Sequence, residues 1–127
     1  MPKTSGLDVL VVDDGEAERF MARRSLPRFW PTDELGNLGE LLLANSPDQA
    51  FDLLRQRQRG LERLVISSDG NMPMIEGPEM ARRIRAMSGG LTVPISLFTG
   101  GGAEFIKAMI RGIVEAVSAQ AKRAKQG

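Results

Sequence analysis

Residues 7–12 read LDVLVV, an almost unbroken β-branched and aliphatic run that leads straight into Asp13-Asp14. A run of this kind suits a strand covered on both faces, the situation of a strand inside a parallel sheet. Three more segments behave alike. Leu41-Leu42-Leu43-Ala44 is a second strand candidate, and Leu64-Val65-Ile66 is a third, passing through Ser67-Ser68 to Asp69. The fourth is Val93-Pro94-Ile95-Ser96-Leu97-Phe98, followed by Thr99, with its Pro near the start where a strand tolerates one.

Helical patterns fill the intervals. Residues 16–26 place Ala17, Phe20, Met21 and Leu26 on a common face, with Pro27 and Pro31 ending the helix and Phe29-Trp30 packing back on the sheet. Residues 32–39 read as a connection. Ser46-Pro47-Asp48-Gln49 is a helix start with a Ser cap, Pro at the first turn and Gln three residues after the cap. Ala50, Phe51, Leu53 and Leu54 point inward from that helix. Arg55, Arg57, Arg59 and Arg63 at its end read as a solvated basic face. Pro78 opens a further helix carrying Met80, Ile84 and Met87, closed by Ser88-Gly89-Gly90. Strand and helix in alternation predict an α/β fold, a doubly wound parallel sheet with right-handed crossovers.

The 127 residues fit one domain, 1–127, with a core at 7–99. A net charge of +1 gives no case for nucleic-acid or acidic-lipid binding. The chain has no Cys and no His, which removes disulfides, thiolate or imidazole metal sites and histidine chemistry of its own. The N-terminal apolar run is too short for a signal peptide or a membrane span. A reducing, cytoplasmic setting is the expectation.

Parallel strands align their C-terminal ends along one sheet edge, so Asp13, Asp14, Asp69 and Thr99 are expected to converge there. Converging carboxylates repel unless a cation binds, and an oxygen-only ligand set points to Mg²⁺. A bound Mg²⁺, a carboxylate free to attack and a nearby hydroxyl suit phosphoryl transfer onto an aspartate.

VLVVDD at 9–14, SDGNMPMIEG at 68–77 and PISLFT at 94–99 resemble the receiver domains of two-component response regulators, the CheY-like (flavodoxin-like) fold. The resemblance covers residues 7–99. It implies that Asp69 is the phosphoacceptor, that Asp14 binds Mg²⁺ directly and Asp13 through water, and that Asn71 offers its backbone carbonyl. Thr99 would be the switch hydroxyl. Arg19 falls at a commonly basic position of the first helix. The implied activity is a signalling receiver, not an enzyme beyond slow Mg²⁺-dependent self-phosphorylation and self-dephosphorylation. The donor would be a histidine kinase or phosphotransfer protein, with output by protein contact to an unknown partner.

The chain departs from that pattern in three places. Ser67-Ser68 stand where larger aliphatics are usual, and Gly100 stands for a small Ala after the switch Thr. The larger departure follows Thr99, where 28 residues remain for a fourth helix, a fifth strand with its lysine, and a fifth helix. Reading 102–107 as that strand makes Lys107 the active-site lysine. A parallel strand, however, needs a crossover of about a dozen residues, which three glycines cannot supply. Residues 103–124 instead carry Phe105, Ile106, Met109, Ile110, Ile113, Val114 and Val117 at helical spacing. Gly112 costs that helix about 1 kcal/mol.

The helical reading predicts four strands and one long C-terminal helix, with no residue assigned as the switch lysine and Lys107 a weak candidate. It also predicts an open fourth-strand edge and a sheet face beside the first helix that lacks its second helix. Exposed apolar surface of that kind implies a partner, here a homodimer through the strand edge or the C-terminal helix. Gly100 to Gly102 read either as a flexible helix cap or as backbone amides facing phosphoryl oxygens at Gly100 and Gly101. Two further functions compete. One is a degenerate, phosphorylation-independent binding or dimerisation module. The other is a Mg²⁺-dependent hydrolase, which would need an acid where Asn71 stands.

Overall fold

The computed structural model of the chain describes residues 6–57, 61–69, 77–87, 93–98 and 104–126. Its order is β1 (Leu7–Val12), α1 (Glu16–Phe29), α2 (Thr32–Leu35), β2 (Leu38–Ala44), α3 (Pro47–Gln56), β3 (Leu64–Asp69), α4 (Gly77–Met87), β4 (Ile95–Phe98) and α5 (Phe105–Gln126). The four strands form one parallel sheet in the order β2-β1-β3-β4. From β1 the chain winds outward to β2, then returns past β1 to β3 and β4. The strand order therefore reverses between β1 and β3, and open α/β sheets keep their ligand crevice at the carboxyl ends of such a pair.

Alternation along the strands sends side chains to two cores. Leu10, Val12, Leu64 and Ile66 face α3 and α4, where Ala50, Phe51, Leu54, Met80 and Ile84 are buried. Val9, Val11, Val65 and Phe98 face the other side, against Ala22, Leu26, Trp30, Phe105, Met109 and Ile113. The sheet is thus covered on both faces, as its near-continuous apolar strands require. At the start of α3, the Ser46 hydroxyl accepts the Gln49 amide at 3.1 Å, and the Gln49 side chain takes the Asn45 amide.

The long C-terminal helix stands as expected, but the sheet face beside α1 is not left bare. Phe105, Met109 and Ile113, spaced four apart, turn one stripe of α5 onto that face beside Ala22 and Leu26. The stripe fills the place expected to lack a helix.

Other expectations also change. Helix α1 passes through Pro27 to Phe29. The proline deletes the single helical bond its amide would have made to the Arg23 carbonyl, a loss confined to the final turn. Ala22 and Leu26 set its inner face, so Phe20, two residues before Ala22, points outward at 59% exposure. Trp30 packs inward and donates Nε1–H to the Gly36 carbonyl, whereas Phe29 stays outside. Strand β2 begins at Leu38, within the expected connection.

Arg57 is not on a solvated face. Its guanidinium pairs with Asp8 on β1, and both side chains are about 95% buried. Asp8 also accepts the Glu40 amide at 2.8 Å. Gly39 makes room for this carboxylate, since a Cβ there would lie 2.3 Å from Asp8 Oδ1. Arg63 donates to the Gly6 carbonyl. Arg55, bonded to Asp52, and Arg63 are exposed as expected, and Arg59 lies outside the described residues.

Candidate functional site

The β1–β3 ladder pairs Val12 with Ser68, so the residues that follow, Asp13 and Asp69, lie side by side at the carboxyl ends of the central strands. Asp14 joins them. One carboxylate oxygen from each of the three lies within 4.8 Å of the others. Asp13 is buried, Asp69 half-buried and Asp14 exposed, so the cluster has a closed floor and an open mouth.

Asp13 is held on three sides. Its Oδ1 accepts the Gly15 amide at 2.9 Å. Its own amide donates to the Ala44 carbonyl, and its carbonyl accepts Arg19 Nη1 at 2.9 Å. Gly15 is close to Glu18, whose carboxylate occupies the position a Cβ would take. Burial pushes the Asp13 carboxyl above the ordinary carboxylate range. The Gly15 amide opposes that, and the charges of Asp69, Glu18 and Asp14 reinforce it.

The sequence had pointed to Asp13, Asp14 and Asp69, and the fold brings all three together. It had noted Arg19 as a basic position without its contact to the Asp13 backbone. Gly15 and Glu18 were missed. The Asp-x-Gly turn was a signal for the first, while nothing local marks Glu18. Asn71, Thr99, Gly100 and Gly101 lie outside the described residues. Lys107 is on α5, 75% exposed and 3.9 Å from Glu104. It borders a groove with Phe29 and Glu34, among whose lining residues none of the three aspartates appears. Two residues before Asp69, Ser67 is fully buried, and its hydroxyl has no hydrogen-bond partner among the described residues.

Three carboxylate oxygens within reach of one another, on a partly dry floor, fit a hard divalent cation such as Mg²⁺. Bound there, such an ion would offset the mutual repulsion of the three carboxylates and would neutralise charge on a phosphoryl group.

No family model matches the chain. A chemotaxis protein CheY homologue of Campylobacter jejuni is 31% identical over 109 residues, covering 84% of this chain and 76% of the relative. This chain belongs to the CheY-like receiver family. The Bordetella bronchiseptica virulence sensor protein BvgS is 38% identical over 80 residues, which are 63% of this receiver and 6% of the sensor. Solved structures share the fold. Chemotaxis protein CheY4 of Vibrio cholerae superposes with a TM-score of 0.56 at 22% identity, over 94% of this chain and 98% of that one. The receiver domain of the histidine kinase CKI1 from Arabidopsis thaliana does so with 0.55 at 22%, over 96% and 91%. The receiver reading of two-component signalling therefore stands, with four strands and α5 in place of the usual last three elements. Among the described residues no helix is long and apolar enough to cross a membrane.

Proposed function

We propose that this receiver accepts a phosphoryl group on Asp69 from the phosphohistidine of a histidine kinase or phosphotransfer protein. The observation that carries the reading is the cluster of Asp13, Asp14 and Asp69 at the point where the strand order reverses. A carboxylate oxygen of Asp69 attacks phosphorus. The P–N bond breaks, its electron pair leaves with the imidazole nitrogen, and an acyl phosphate forms. Asp14, Asp69 and the Asn71 carbonyl would hold Mg²⁺ directly and Asp13 through water, the ion would neutralise charge on the phosphoryl group, the Thr99 hydroxyl would bond that group, and the amides of Gly100 and Gly101 are the candidates to face its oxygens. Asp13 is already held, its carboxylate by the Gly15 amide and its backbone carbonyl by Arg19.

Hydrolysis of the acyl phosphate by water returns Asp69, so self-phosphorylation from small donors and self-dephosphorylation are slow side activities. Output is by contact with another protein, self-association uses the β4 edge or α5, and the protein works in the cytoplasm beside its donor. The second reading is a phosphorylation-independent binding module. The exposed Lys107 favours it, because no described lysine stands beside the carboxylates.

Beryllofluoride with Mg²⁺ separates the two. The first reading expects a rise in melting temperature that needs both components and is lost in Asp69→Asn. No rise in the wild type would support the binding module instead.

A further inference from the structure

The flank of α5 beside its sheet-facing stripe is also apolar, and Ile106, Ile110 and Val117 there touch the core along their inner edges. Ile106, Ile110, Val114 and Val117 are only partly buried, and their spacing keeps them on one helical face. With Phe29, which is 59% exposed, the first three border a groove of about 690 Å³. Beside the stripe runs a line of exposed charges, Glu104, Lys107, Arg111, Glu115 and Lys122.

The order of those charges identifies the occupant. Lay a second α5 antiparallel across the first, so that Arg111 of each faces Glu115 of the other. Both partners of that pair lie two residues from position 113. Glu104 and Lys122 lie nine residues from it on either side, so the same register sets Glu104 of each copy against Lys122 of the other. One arrangement thus makes four opposite-charge contacts around a two-fold axis, and the apolar stripes meet beside them. A two-fold interface must be self-complementary in just this way, and flanking charges are what set orientation and register between paired helices.

We propose that the α5 groove is a homodimer surface, with the two α5 helices antiparallel and Arg111 paired with Glu115 of the second copy. This rests on the self-association reading above and selects α5 over the β4 edge. It does not rest on phosphorylation of Asp69.

Sedimentation equilibrium on the unphosphorylated chain tests it with two exposed-surface variants, Arg111→Glu and Glu115→Arg. The wild type should be dimeric at tens of micromolar, on the order expected for a modest interface. Each variant alone places like charges at the axis and should weaken dimerisation by about tenfold or more. An equimolar mixture of the two should restore it, because each supplies what the other lacks, whereas a change in helix stability alone would not be rescued by mixing. Asp69→Asn should dimerise like the wild type. A monomeric wild type at 100-micromolar order, single variants that dimerise normally, or a mixture that stays monomeric would each overturn the α5 surface. None of those results bears on whether Asp69 accepts a phosphoryl group.

Discussion

A Cβ placed on Gly112 would lie 2.3 Å from the Ser96 hydroxyl, so α5 meets β4 through a glycine and a serine. Among the described residues the only obstacle to alanine is a hydroxyl that can rotate away, since Ser96 Cβ is 3.6 Å off. Gly112→Ala combined with Ser96→Ala should therefore stabilise the fold by up to about 1 kcal/mol through helix propensity. Gly112→Leu should push α5 from the sheet and destabilise it by about 1–3 kcal/mol. Urea unfolding followed by Trp30 fluorescence reads both.

The Asp8–Arg57 pair ties the end of α3 to the first strand, and Arg57 Nε and Nη1 have no hydrogen-bond partners among the described residues. Removing one member leaves a buried charge. Arg57→Met and Asp8→Val should each cost about 3–5 kcal/mol. The double variant should cost less than either, although the Glu40 amide then loses its acceptor. A double-mutant cycle in urea measures the coupling.

Asp13 contributes a pH dependence that runs against the usual carboxylate sign. Its folded-state proton is held more tightly than in the unfolded chain. The folded state thus binds the extra proton between the ordinary carboxylate range and the raised value, and stability falls as pH rises through that window. Asp13→Asn keeps an oxygen for the Gly15 amide and removes the charge. It should stabilise the metal-free protein at neutral pH and flatten that part of the profile. Thermal melts from pH 4 to 8 in EDTA check the sign, and added Mg²⁺ should narrow the gap by stabilising the wild type more.

Lys107 should be dispensable for phosphoryl acceptance. Its charge sits at the surface near Glu104, where an ion pair contributes little. Lys107→Ala should be modified at the wild-type rate with acetyl phosphate, and a loss of about tenfold or more would restore it as the switch lysine.

How much of this was legible in sequence depends on the range of the interaction. Asp13, Asp14 and Asp69 could be brought together from sequence because parallel strands share an edge and each acid follows its strand directly. The α5 helix could be read from its own period. The face α5 covers could not be, because periodicity gives an apolar stripe without saying which side of the sheet it meets. Arg57 reads as one of several basic residues at a helix end. Only Asp8, 49 positions away, and the space left by Gly39 make it a core residue. Phe20 and Phe29 misled for a related reason, since Ala22 rather than the larger side chains decides which face of α1 turns inward.

The central claim is that Asp69 is a phosphoacceptor in a working carboxylate site, and intact-mass spectrometry after incubation with Mg²⁺ and acetyl phosphate tests it most directly. A gain of about 80 Da, the mass of one phosphoryl group, is expected on the wild type and absent from Asp69→Asn and from samples in EDTA. An unmodified wild type, or an equal gain on Asp69→Asn, would contradict it.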